Sequence, residues 1–266
     1  MAAPFDTGRP HPARVYDYLL GGKDHFAADR EAAVEALKVN PNAATAPLQN
    51  RAFLRRAVHH LAAEAGVRQF LDIGTGLPTS PNVHDVAQAA APASKIVYVD
   101  NDPIVLSHAR ALLTSTPEGR TAYVDGDLLD IDGILAAPEL RSTLDLTRPV
   151  GLLLFAILHF VEDDTAAYRI VERLMAALPS GSYLVLSHIT ADFEPESWGR
   201  FVQIMRARGI PSRLRDQQEV SRFFTGLDLV EPGVVPILRW RPDDSGRDVP
   251  LTDAQAALYG GVARKP

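Results

Sequence analysis

Gln69-Phe70-Leu71-Asp72-Ile73-Gly74-Thr75-Gly76 is the stretch on which the fold turns. A short apolar run ending in an acid and two glycines reads as a buried strand followed by a sharp turn, because glycine lets the backbone reverse and approach a ligand closely. The same pattern recurs downstream. Lys95–Asp100, Thr121–Asp125, Val150–Phe155 and Ser182–Ile189 read as further strands, and helices are expected over Pro81–Ala91, Pro103–Ser115 and Asp163–Leu178. Pro103 suits a first helical turn, where its missing N–H has no partner to lose. Val150–Phe155 is almost continuously apolar, as a strand covered on both faces must be. Strands alternating with helices build βαβ units and a parallel sheet. Right-handed crossovers then place helices on both faces, giving a doubly wound α/β fold.

Upstream of this region the pattern is helical. Pro10-His11-Pro12 resists regular structure. Ala13–Leu20 reads as a short helix stopped by Gly21-Gly22. Asp24 is expected to cap a second helix carrying Phe26, Ala33, Val34 and Leu37, and Asn40-Pro41-Asn42 breaks it. A longer helix runs over Ala46–Glu64 and closes at Gly66. Residues 1–66 are therefore expected to form a helical cap on residues 67–266, both within one domain. In the tail, Leu227–Val230 and Gly260–Ala263 are strand candidates, with loop chemistry through Trp240 and Asp243-Asp244 and a short helix over Asp253–Leu258. An antiparallel return at the sheet edge accounts for this arrangement.

Composition sets outer bounds. The chain has 266 residues, enough to bury a core without covalent staples. It holds 27 basic and 33 acidic residues, a net charge of -6, which argues against a nucleic-acid partner because phosphate neutralisation needs clustered positive charge. It has no cysteine, which excludes disulfides, thiolate metal sites and cysteine nucleophiles. Met1–Tyr18 has no apolar core of signal length, and the apolar run near Val150–Val161 is too short to span a bilayer. No membrane association is expected, and the location expected is cytoplasmic. His59, His60, His84, His108 and His188 lack metal-ligand spacing, so no metal is expected. The arginines at 200, 206, 208, 213 and 215 form a basic stretch, read as a solvated helix face.

The strand ends carry the chemistry. In open α/β sheets, ligands bind beyond the carboxyl ends of the strands. Asp100 ends the second strand, where a carboxylate can accept both hydrogens of a ribose diol. Asp125-Gly126-Asp127 ends the third, where an acid can accept from an adenine amino group. A dinucleotide fingerprint would need glycine or alanine at position 79. Thr79 stands there, and Pro78 removes a backbone N–H that a pyrophosphate would use. An acid at position 72, beside the glycines, suits a ligand with an amine and no phosphate.

These motifs resemble those of the bacterial S-adenosyl methyltransferase family, within the class I S-adenosylmethionine-dependent methyltransferases. The likeness rests on Ala13–Asp24, Asn50–Leu54, Phe70–Thr79, Asn82-Val83-His84 and Val97–Pro103, and it extends to Tyr259–Arg264. One departure is His25, where the family usually has asparagine. The resemblance implies a Rossmann-like, mostly parallel seven-stranded sheet with an antiparallel last strand, and S-adenosylmethionine as cofactor. It implies that Asp72, Gly74 and Gly76 surround the methionine part, Asp100 with Asn101 the ribose, and Asp127 with Leu128 the adenine. Tyr18 or Tyr16 is placed to stack on the sulfonium or the acceptor, and Arg14 or Arg51 to pair with the cofactor carboxylate. His159, just past the fourth strand, is the candidate base or acceptor-positioning group, since histidine titrates near neutrality.

The expected function is direct methyl transfer to a small-molecule acceptor. The lack of cysteine removes methyl relay and radical iron–sulfur routes. Phe155-Ala156-Ile157-Leu158 lacks the Asn-Pro-Pro-Tyr pattern of adenine amino methylation. Two other readings stay open on sequence: a non-catalytic S-adenosylmethionine-binding regulator, and a nicotinamide-dependent oxidoreductase.

Overall fold

The computed structural model describes residues 6–242 and 251–266, so Asp243-Asp244 lies outside the described residues. Its core is a sheet of β1 (Gln69–Ile73), β2 (Lys95–Asp100), β3 (Arg120–Asp125), β4 (Gly151–Phe155), β5 (Tyr183–Ile189), β6 (Asp228–Leu229), β7 (Val235–Pro236) and β8 (Leu258–Arg264). The order is β3-β2-β1-β4-β5-β8-β6, with β7 also on β8. Neighbours among β1 to β5 run parallel, and β8 is antiparallel to β5.

Period-two alternation sorts the core onto two faces. Phe70, Ile96, Tyr98, Leu153 and Val185 point to one side. Leu71, Val97, Leu152, Leu154, Leu184 and Leu186 point to the other. On the first face lie α2 (Ala27–Val39), α3 (Ala46–His59), α4 (Val83–Ala90) and α9 (Pro195–Ala207), through Ala36, Phe53, Ala87 and Trp198. The short α1 (Pro12–Leu19) joins them through Val15. The second face is covered by α6 (Ile131–Ala136), α7 (Pro138–Thr143) and α8 (Asp164–Ala176), through Ile134, Leu140 and Ile170. α5 (Pro103–Leu112) follows β2, and α10 (Gln217–Ser221) and α11 (Asp253–Ala256) complete the helices described.

Several local expectations hold, with shifts that have physical causes. Asp102 caps α5 by accepting from the Ile104 N–H at 2.9 Å, with Pro103 in the first turn. Asp24 does not cap α2. The N-cap is Phe26, whose N–H donates to Asp29 Oδ2 at 2.8 Å, so an acid inside the first turn closes this helix. The long helix predicted to Glu64 changes after His59 into a π turn over His60–Glu64. α6 and α7, between β3 and β4, were not among the expected elements. The sheet has eight strands rather than seven. Pro232-Gly233 interrupts the edge, so two stubs pair separately with β8, at Leu229↔Ala263 and Val235↔Gly260.

The basic stretch resolves into ion pairs. Arg200 meets Glu196, Arg206 meets Glu162, Arg208 meets Glu35, and Arg213 meets Asp164 and Glu219. Arg215 is buried instead of solvated. It donates to the Leu158 and Val161 carbonyls, to Asp164 and to His188 Nε2, and so fixes the turn after β4 from below. Among the described residues, no helix is long and apolar enough to cross a membrane.

Candidate functional site

A cavity of about 410 Å³ opens at the carboxyl ends of β1, β2, β3 and β4. It falls within the range of small-ligand sites. Register brings the acids there: β2 and β3 pair Asp100 with Asp125, so both strands end level. Asp72, Gly74, Gly76, Asp100, Asn101, Asp127 and Leu128 all border the cavity.

The turn after β1 is built around its two glycines. Gly74 has φ +76° and Gly76 φ +69°. The Gly74 N–H donates to the Val99 carbonyl at 2.8 Å, and the Gly76 N–H donates to Asp100 Oδ2 at 2.8 Å. A Cβ on Gly74 would stand 2.6 Å from Ile157. Gly74→Ala therefore combines left-handed strain with a clash and is expected to destabilise the fold by about 1–3 kcal/mol. Denaturant unfolding monitored by circular dichroism checks this.

Two carboxylates dominate the electrostatics. Burial raises Asp72 to about 7, against partial relief from the Arg51 guanidinium and a further rise from Asp100. Burial also raises Asp100, opposed by the N–H groups of Asp102 and Gly76 that donate to it. Asp127 sits at the exposed rim, where it accepts from the Leu129 N–H at 2.8 Å and from Asn101 Nδ2 at 3.2 Å. Leu128 beside it is buried and apolar.

The remaining sequence candidates separate. Arg14 is buried outside the cavity, 3.3 Å from Asp102 and 3.9 Å from Asp29, with its guanidinium over Phe26. Tyr18 packs edge-on against His25 at 5.1 Å, and His25 Nδ1 is 2.9 Å from Asp17; none of these residues borders the cavity. The face of α1 that turns to the cavity carries Pro12, Ala13 and Tyr16. The 3.6-residue period decides this, since Tyr16 follows Pro12 by four positions and Tyr18 and Arg14 fall elsewhere on the wheel. Arg51, on α3, borders the cavity and donates to the Thr79 and Pro81 carbonyls.

His159 lies just beyond. It borders a second chamber of about 80 Å³ that shares Pro12, Tyr16, Asn50, Ala156 and Phe160 with the first. Burial, reinforced by Arg215, lowers His159 to about 3, so its imidazole is neutral at neutral pH. A hydrogen-bond chain crosses the shared wall. The Ala156 N–H donates to Ser187 Oγ at 3.0 Å, Ser187 donates to Asn50 Oδ1 at 2.6 Å, Asn50 Nδ2 donates to Tyr16 Oη at 3.0 Å, and Tyr16 donates to the Pro47 carbonyl at 3.2 Å. Ala156 holds φ +49° at the hub of this wall, a strained conformation of the kind found at functional sites. Asn50 and Ala156 carried no signal of their own in the sequence beyond lying in, or next to, recognisable motifs.

Known proteins place this architecture. A model of the S-adenosyl methyltransferase family matches residues 1–266. Among solved structures, a DUF574 family protein from Streptomyces avermitilis is 55% identical, covers 98% of this chain and 99% of its own, and superposes with a TM-score of 0.95. A candidate methyltransferase from Thermobifida fusca is 40% identical over 98% of this chain and 96% of its own, with a TM-score of 0.89. An N-methyltransferase from Bradyrhizobium japonicum in complex with S-adenosyl-L-homocysteine is only 14% identical over 95% of this chain and 99% of its own, and its TM-score of 0.50 speaks for the shared fold alone. No curated protein matches the chain. The chain thus belongs to the S-adenosyl methyltransferase family and is an S-adenosylmethionine-dependent methyltransferase on a Rossmann-like sheet.

Proposed function

We propose that this enzyme methylates a small-molecule acceptor by direct transfer, with residues 1–66 acting as a helical cap over the cofactor-binding sheet of residues 67–266. The observation that carries this reading is the wall shared by the two cavities. Residues of α1 and α3 (Pro12, Tyr16 and Asn50) meet the end of β4 at Ala156 between a large cavity bordered by acids and a small chamber.

The large cavity fits S-adenosylmethionine group by group. Asp72 suits the ammonium, directly or through water, and Arg51 suits the carboxylate. Asp100 suits the ribose diol, with Asn101 at its side. The Asp127 carboxylate and the Leu128 side chain suit the amino edge and the face of adenine. The tight approach at Gly74 leaves the backbone where a side chain would close the cradle. Replacing Arg51 by Met is expected to weaken cofactor binding about thirtyfold, the size of one charge-assisted contact, with calorimetric titration as the measurement.

When bound, S-adenosylmethionine supplies a methyl carbon that an acceptor lone pair attacks as the carbon–sulfur bond breaks, sulfur keeping the bonding pair and the acceptor heteroatom releasing its proton to water. The protein's task is to hold that lone pair in line. Burial raises Tyr16 and lowers His159 to about 3, so neither is a proton acceptor near neutrality. Orientation rather than general-base catalysis is then the source of rate. In this reading His159 positions the acceptor.

The acidic net charge and the pairing of the basic stretch speak against nucleic acid as acceptor. The bacterial sources of the two near relatives support a bacterial enzyme, for which the cytoplasm is the location proposed. Calorimetry should find binding of S-adenosylmethionine and S-adenosylhomocysteine. Labelled methyl should then enter the small-molecule fraction of a cell extract. Label confined to nucleic acid or protein would overturn the acceptor class.

A further inference from the structure

The small chamber says what kind of acceptor enters. Its apolar lining includes Val15 and Leu19 of α1, Trp198 and Met205 of α9, and Ile210 and Leu258. Its polar side chains are Tyr16, Asn50, His159 and Ser212, all uncharged types, and among the described residues no lysine, arginine, aspartate or glutamate lines it. An ion placed there would lose its hydration with no counter-charge, which costs several kcal/mol. Size sets a second limit. The chamber's 80 Å³ is about half of the roughly 150 Å³ apolar cavity that accommodates benzene. It takes a branched alkyl group of three or four carbons more readily than an aromatic ring. The hydrogen-bond chain already occupies Asn50 and Tyr16. Two wall residues, His159 and Trp198, each keep an uncharged polar atom buried without a partner, Nδ1 and Nε1.

We propose, resting on the methyl-transfer reading above, that the acceptor carries an uncharged, compact aliphatic end, which it inserts between α1 and α9. Its nucleophilic heteroatom then lies at the Ala156 mouth, beside His159 and facing the cofactor cavity. There the heteroatom's lone pair forms the new bond to the methyl carbon, the carbon–sulfur pair stays with sulfur, and the proton leaves to water. The charge argument excludes phosphate, carboxylate and ammonium groups from the inserted end, and the volume excludes flat polycyclic ends.

The test uses the full chain saturated with S-adenosylhomocysteine and three probes of one shape: isobutanol, isobutyrate and isobutylammonium. Saturation-transfer NMR should rank isobutanol at least about tenfold ahead of both ions. Leu19→Trp, which fills the chamber from its half-exposed edge, should abolish isobutanol binding while S-adenosylhomocysteine affinity, read by calorimetry, stays within about twofold, a change too small to report a lost contact. Ser212→Leu, filling it from another lining position, should do the same and covers a folding failure of the first variant. Equal binding of an ion, isobutanol binding that survives both fillings, or no binding of isobutanol to the loaded protein would overturn the proposal. Failure of S-adenosylhomocysteine to bind the wild-type chain would instead overturn the reading beneath it.

Discussion

Asp100→Ala should weaken S-adenosylmethionine binding about a thousandfold and leave the protein folded. On the proposed assignment, the carboxylate at the end of β2 accepts from two ribose hydroxyls. Hydrogen bonds to a charged group contribute roughly 1.5–3 kcal/mol each. Two of them together come to about 4 kcal/mol, or three powers of ten in the dissociation constant. The fold survives because two effects of the substitution oppose each other. The Gly76 and Asp102 N–H groups lose the oxygens they now donate to at 2.8 and 3.0 Å. Against this, the alanine removes a charge that burial already disfavours, and the enlarged polar cavity admits water to the freed donors. Calorimetry should therefore report the affinity loss while the thermal midpoint moves by only a few degrees. Asp100→Asn, which keeps the shape and one acceptor oxygen, should fall between. An affinity loss below about tenfold for the alanine variant would mean that the ribose is held by other groups, since one charge-assisted bond alone exceeds that.

The same residues show what a sequence can and cannot carry. Asp100 was legible because parallel strands buried on both faces are continuous apolar runs, and the acid that closes such a run marks the strand end, while Asp72, one residue inside the end of β1, was legible from the two glycines that follow. The register that sets Asp100 level with Asp125 follows from the sheet itself. Side-chain direction on α1 was not legible. Arg14 and Arg51 both stand beside a recognisable motif. What separates them is the buried pair Asp29 and Asp102, which takes Arg14 out of the cavity from two different elements. Arg215 makes the same point. It is one of five arginines in a stretch that reads as a wet helix face, yet it lies almost wholly buried, with carbonyls of the β4 turn as its partners. Those carbonyls are more than fifty positions away, and no local pattern announces them. The split of the sheet edge into β6 and β7 was signalled by Pro232-Gly233, but the apolar residues on either side blurred it.

Asp72→Asn should make the ligand-free enzyme more stable at pH 8 and a poorer binder of its cofactor. Burial raises the Asp72 carboxyl to about 7 from its ordinary 3.8. The native state therefore holds this proton more tightly than the unfolded chain does. Between those two values the native state binds more protons, so this group's contribution to stability falls as pH rises, and it is fully lost above about pH 7. The three-unit difference corresponds to about 4 kcal/mol as an upper figure. Asparagine keeps the shape and removes the ionisation. The expected gain is about 2–4 kcal/mol at pH 8, several degrees in thermal midpoint for a chain of this size, and it should shrink toward zero near pH 4, where aspartate is neutral in both states. Binding responds in the opposite sense. An ammonium in the cavity stabilises the carboxylate, so wild-type affinity should fall as pH drops below about 7, by up to tenfold per unit. The variant should bind about a hundredfold more weakly at pH 8, for want of a charge-assisted partner, and lose that pH dependence. Scans of thermal midpoint and affinity across pH 4–8 would test both halves separately. A variant no more stable than wild type at pH 8 would show that the acid is well solvated when the cavity is open. A more stable variant with undiminished affinity would move the ammonium contact elsewhere. If both hold, the acid beside the first glycine turn lowers the stability of the empty fold, and the bound cofactor offsets that cost.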